Sequence, residues 1–186
     1  QQLLGYLERI ESESLTSKVK AVQNLVRDIN FRSALIKTRA LSEKNIEHPK
    51  LYLLKRLIKQ EIDEKKEVKI IIFTQYRDTA VKIKQILDEL ELYGITSKIF
   101  VGQQKKRDTG LSQKEQSVML DQFRNSEFNV IIMTSVGEEG LDIPQVDLVV
   151  FYEPVPSAIR TIQRKGRTGR QDSGRVIILM TKNTRD

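Results

Sequence analysis

The sequence predicts an α/β domain on a mainly parallel sheet, preceded by an α-helical segment. Three observations predict it. Apolar residues recur at steps of three or four, or their sums, as far as Ile62; short apolar runs follow from residue 69 onward; and amphipathic segments separate those runs.

The helical part comes first. Leu3, Leu7 and Ile10 make one stripe, and Val19, Val22, Val26, Ile29 and Ile36 make a second, so two helices are expected there, with Ser14, Thr16 and Ser17 between them as candidate helix starts. His48-Pro49 interrupts the chain. Proline suits a first helical turn, and Leu51, Leu54, Ile58 and Ile62 form a third stripe that ends in the charged stretch 63–69. The expected division is a helical segment over 1–46 and an α/β domain over 47–186.

Five strands are predicted beyond it: Lys69 to Thr74, Thr96 to Val101, Asn129 to Thr134, Asp147 to Tyr152 and Arg175 to Thr181. The first four are rich in Ile, Val and Phe without clean alternation, as strands covered on both faces are. Phe73, Phe100 and Phe151 are therefore expected in the sheet core. Ala80, Ile83, Leu87 and Leu90 predict a helix closed by Gly94, a residue type suited to a helix C-terminus.

The bulk numbers narrow the function classes. The 186 residues hold no cysteine and one histidine, His48, which excludes disulfides, thiolate metal sites and an imidazole cluster. No apolar run approaches the roughly 18 to 20 residues that span a bilayer, so no membrane partner is expected. The absence of cysteine fits a reducing compartment: the cytoplasm of a prokaryote or archaeon, or the nucleus of a eukaryote. The net charge of +7 suits a polyanionic partner such as nucleic acid, and equally a lysine-rich solvated surface. One local cluster stands out, because Arg160, Arg164, Lys165, Arg167, Arg170 and Arg175 face a single acid, Asp172.

That cluster contains the string Gln163-Arg164-Lys165-Gly166-Arg167-Thr168-Gly169-Arg170. Two Gly-Arg pairs let guanidinium groups emerge from a backbone that can approach another surface closely. Guanidinium is always charged and its planar fork matches phosphate oxygens. Alone, the string reads better as a basic loop on a solvated or RNA-binding surface. Its setting favours a phosphate role: the predicted strand ending at Thr134 runs into the glycine-punctuated stretch Ser135 to Pro144, and the one ending at Thr74 runs into Gln75-Tyr76-Arg77. Such strand ends are where open α/β sheets bind ligands.

With these residues in order, 68–181 resembles the second RecA-like domain of superfamily 2 helicases. Ile71 to Tyr76 matches motif IV, Met133 to Pro144 motif V and Gln163 to Arg170 motif VI. The chain looks most like the archaeal Hef and Fanconi M branch, related to the RIG-I and Dicer helicases, on the strings Gly110 to Gln116, Thr134 to Asp142 and Tyr152 to Ser157. Gln163, Glu139 and Gln116 depart from the DEAD-box pattern, which has His, Arg and Arg at those places. Residues 1–46 resemble, more weakly, the end of the helical insertion between the two motor domains of the Hef and RIG-I relatives.

The resemblance implies a RecA-like three-layer sandwich and a set of roles. Arg167 and Arg170 would reach the terminal phosphate of ATP held mainly, with Mg2+, on an N-terminal RecA-like lobe, Arg170 being the finger itself. Gln163, Gly140 and Asp142 would lie at the nucleotide interface. Thr74, Gln75, Tyr76, Gly102, Thr134 and Gly137 would approach a nucleic-acid strand, with Tyr76 open to stacking on a base. Backbone contacts of this kind fix position without reading sequence. The implied activity is that of an ATP-dependent helicase or translocase on forked or branched DNA. Two alternatives stay open: the lobe of a double-stranded-RNA-dependent ATPase, and a non-catalytic nucleic-acid-binding module.

The other half of such an engine is missing from the string. A phosphate loop, G-x-x-x-x-G-K-[ST], and an acidic strand-end motif hold the nucleotide and its metal in motor ATPases. Neither is present; Asp88-Glu89-Leu90-Glu91 imitates the acidic motif but falls on the helical stripe of Leu87 and Leu90. The chain alone is expected to be inactive, as an excised piece.

Overall fold

The computed structural model describes residues 2–44, 47–65, 67–90, 94–102, 111–134, 144–154 and 174–183. They fall into two compact units, Gln1–His48 and Pro49–Asp186.

The first unit holds α1 (Gln2–Thr16), α2 (Lys20–Arg27) and α3 (Ile29–Glu43). Leu7, Phe31 and Leu35 form its small core, with Leu4, Ile10 and Val26 against it. Arg39 of α3 donates to Glu8 at 3.2 Å and to Glu11 at 2.7 Å, both on α1. The single helix expected from Val19 to Ile36 is two helices. Asp28 leaves the helical conformation (φ −61°, ψ 136°) and its carboxylate accepts from the amides of Asn30 and Phe31, which starts α3 afresh. The apolar stripe runs across this break and conceals it. None of Ser14, Thr16 or Ser17 caps α2, whose N-cap is Val19 with no side-chain bond. Ser14 and Thr16 instead sit inside α1 and donate to carbonyls three residues back.

The second unit opens with α4 (Pro49–Glu64), the proline taking the first helical position. The remaining elements are β1 (Ile70–Thr74), α5 (Arg77–Asp88), β2 (Ser97–Phe100), α6 (Gln113–Arg124), β3 (Val130–Thr134), β4 (Leu148–Phe151) and β5 (Arg175–Ile178). The five strands form one sheet in the order β2-β3-β1-β4-β5, with every pairing parallel. β1, β3 and β4 are buried along their whole length.

Their residues alternate between two cores. Ile70, Ile72, Val130, Ile132, Leu148 and Val150 pack with Leu54 and Ile58 of α4 and Ala80, Ile83 and Leu87 of α5. Ile71, Phe73, Ile131, Met133, Val149 and Phe151 pack on the opposite face with Leu120 and Phe123 of α6. Helices on both faces of a parallel sheet make the three layers, and explain why the strand sequences show apolar runs in place of alternation.

Two helix ends are informative. α6 begins with a capping box: the Ser112 hydroxyl accepts from the Glu115 amide, and the Glu115 carboxylate accepts from the Ser112 amide at 2.7 Å. α5 ends earlier than expected, with Glu89 as C-cap. Gly94 lies beyond that end, in left-handed backbone (φ 79°), where its carbonyl accepts from the Asn129 side chain at 2.7 Å.

Candidate nucleic-acid interface

Parallel strands present all their carboxyl ends along one edge. β1 and β3 end there in register on Thr74 and Thr134, both buried, and Phe73 pairs with Phe151 one step earlier. Just past the end of β4, the Tyr152 amide donates to the Phe73 carbonyl at 2.8 Å. Glu153 and Pro154 thereby stand beside the β1–α5 turn.

Glu153 organises that turn. One carboxylate oxygen, Oε2, accepts from the Thr74 hydroxyl at 2.5 Å and from the Gln75 amide at 2.9 Å. The Gln75 side chain donates to the Pro154 carbonyl at 3.3 Å. Thr74 is fully buried, so its hydroxyl faces Glu153 and is closed to solvent. Gln75 is exposed, and Tyr76 is 53% exposed with its backbone capping α5. Nothing in the sequence pattern pointed to Glu153 as a partner of Thr74, because the two lie 79 residues apart.

Further along the edge, Gly102 follows β2 and is buried. The backbone just before it is held by Gln116, a buried side chain of α6 that donates to the Val101 carbonyl at 3.2 Å. Lys50, on the first turn of α4, is also buried; its ammonium donates to the Tyr152 carbonyl at 3.2 Å and lies 5.7 Å from the Tyr152 ring centre.

Thr74, Gln75, Tyr76, Gly102 and Thr134 thus all occur at the carboxyl ends of β1, β2 and β3 or directly after them. Gly137, Gly140, Asp142, Gln163, Arg167 and Arg170 lie outside the described residues. Among the described residues no helix is long and apolar enough to cross a membrane, and no group of three or more His, Asp or Glu side chains is placed to hold a metal ion.

The fold is the RecA-like one of a helicase C-terminal domain. Residues 50–172 match the helicase conserved C-terminal domain, and the chain belongs to that family. It is similar to the crystal structure of the Pyrococcus furiosus Hef helicase domain, with 48% identity and a TM-score of 0.75 over 98% of this chain and 36% of that one. Among curated proteins it resembles ATP-dependent DNA helicase mph1 of Neurospora crassa, 45% identical over 139 residues, 73% of this chain and 12% of the relative. A putative ATP-dependent RNA helicase of Methanocaldococcus jannaschii is 40% identical over 183 residues, 98% of this chain and 22% of the relative. The chain thus spans less than a quarter of either curated relative. Similarity to Hef and to mph1 agrees with the branch indicated by the motifs at 110–116, 134–142 and 152–157.

Proposed function

We propose that this chain is the C-terminal motor lobe of an ATP-dependent helicase or translocase that acts on forked or branched DNA. The observation that favours this reading is the shared carboxyl edge. An exposed Gln75-Tyr76 turn stands against Glu153-Pro154, and the sequence runs directly from there into the arginine-rich stretch that ends at Arg170. One edge would then present a nucleic-acid contact and lead into the phosphate-seeking residues.

The roles follow from side-chain chemistry. Arg167 and Arg170 would offer planar, always-charged donors to a terminal phosphate and stabilise the charge that builds there, an effect worth about 10³ to 10⁵ in rate in NTPases that use an arginine finger. Gln163, Gly140 and Asp142 would complete the nucleotide side of the cleft. Gln75, Tyr76, Gly102, Thr134 and Gly137 would meet the strand, with Thr74 shaping the turn from beneath. ATP and Mg2+ would be held chiefly by an N-terminal RecA-like lobe, since no phosphate loop occurs in these 186 residues. The lobes would grip the strand alternately as the cleft closes and reopens. Residues 1–46 would be the end of an inserted helical domain, and 47–186 the lobe itself.

DNA is preferred over RNA on the likeness to Hef and to mph1, while the Methanocaldococcus relative is named for RNA. The test is Arg170→Ala in the complete protein, with ATP hydrolysis and strand binding measured separately. Hydrolysis is expected to fall by about two orders of magnitude or more, with binding largely kept. An equal loss of binding would instead mark a non-catalytic phosphate-gripping module. Stronger stimulation by double-stranded RNA than by forked DNA would make the chain part of an RNA-dependent ATPase.

A further inference from the structure

Glu153 falls outside every role given above, yet it holds the turn that those roles depend on. The β1–α5 connection is two residues long, Gln75 and Tyr76. It has no side-chain cap of its own, since Tyr76 is the N-cap and makes no such bond. It is held from the two residues Glu153 and Pro154, which follow β4. One Glu153 oxygen accepts both the Thr74 hydroxyl and the Gln75 amide, and Pro154 accepts the Gln75 side chain. Hydrogen bonds to an ionised acceptor are shorter and stronger than neutral ones, and Thr74 makes its bond from a fully buried position. In sequence, Glu153 and Pro154 precede the arginine-rich stretch that begins at Arg160.

We propose that Glu153 is a positioning residue that presents the Gln75-Tyr76 turn to the nucleic-acid strand. The proposal rests on the motor-lobe reading. Gln75 directs both its backbone and its side-chain amide to this tie. Gln75 gives one side-chain amide hydrogen to this tie, so a strand can be met by its second hydrogen or its carbonyl oxygen while the tie holds.

The experiment measures nucleic-acid-stimulated ATP hydrolysis of the complete protein with forked DNA, separating the DNA concentration for half-maximal stimulation from the maximal rate. Glu153→Ala is expected to raise that concentration about tenfold, and Glu153→Gln, which keeps an acceptor without its charge, by less. The maximal rate should fall less than about twofold. Thr74→Val should act in the same direction, Thr74→Ser should recover the loss, and the Thr74→Val/Glu153→Ala pair should be no worse than Glu153→Ala alone, because both remove one tie. Unchanged half-maximal concentrations would overturn the proposal. So would parallel losses of maximal rate and thermal midpoint, which mark a purely structural role. A wild-type enzyme indifferent to nucleic acid would overturn the motor-lobe reading and this inference with it, whereas a responsive wild type whose variants keep its half-maximal concentration overturns the inference alone.

Discussion

Phe73 and Phe151 offer a quantitative test of how the sheet centre is held. They are register partners on β1 and β4, both fully buried, with ring centroids 5.1 Å apart and planes 14° from parallel. Phe73→Leu keeps most of the apolar volume but leaves part of the site unfilled, at roughly 1 kcal/mol. It also forfeits the stacked pair, for about 1 kcal/mol more. The sum, about 2 kcal/mol, divided by a urea m-value of about 2 kcal/mol/M, lowers the unfolding midpoint by about 1 M. Phe151→Leu should do the same. The double variant should cost only about 3 kcal/mol, because the pair is lost once, leaving a coupling energy of about 1 kcal/mol in a double-mutant cycle. Urea unfolding followed by far-UV circular dichroism provides all four stabilities. Costs that add to within about 0.3 kcal/mol would refute the stacking argument and leave plain apolar burial as the whole effect.

Two further outcomes follow from local backbone. Gly94 has a positive φ of 79°, and an added Cβ would meet no atom within 4 Å, so Gly94→Ala isolates backbone strain. A loss of about 1 kcal/mol is expected in the same urea assay, and a neutral or stabilising result would contradict it. At the start of α6, the Ser112 hydroxyl, and then the Ser112 amide, hold the Glu115 carboxyl below the usual carboxylate range. A lowered folded pKa means the contribution is complete above the ordinary glutamate value, about 4.3, and is lost as pH falls through the lower folded value. An NMR titration should show the Ser112 amide shift moving at a pH below that ordinary value; a midpoint at or above it would contradict the capping box.

The strands were legible because burial on both faces leaves a local mark. Ile70 to Thr74, Val130 to Thr134 and Leu148 to Phe151 are apolar runs whose alternate residues serve different cores, and no long-range information is needed to find them. The α2–α3 break was hidden because apolar periodicity continues through Asp28, while the cap depends on one side chain turning back to two amides. The α6 capping box was visible in principle as Ser112-x-x-Glu115. The positions of Thr74, Gln75, Tyr76, Gly102 and Thr134 at the ends of strands could be read from where the apolar runs stop. Glu153 could not, since its partners come from a strand distant in the chain. Gln116 is a polar residue on the buried side of α6 whose partner is the carbonyl of Val101, just past β2, which no periodicity marks.

The strand order has a consequence for how the molecule is made. Of the five described strands β1 comes first in the chain and lies in the middle of the sheet, flanked by β3 and β4. Its immediate successor, β2, is not its neighbour. A growing chain therefore carries Ile70-Ile71-Ile72-Phe73 with both hydrogen-bonding edges open until Val130 to Thr134, and then Leu148 to Phe151, have emerged. Closing those distant parallel pairings costs chain entropy before any reward is gained, which slows folding and lengthens the time for which a sticky apolar strand is exposed. α5, the next element made, can cover one face of β1 in that interval but neither of its edges.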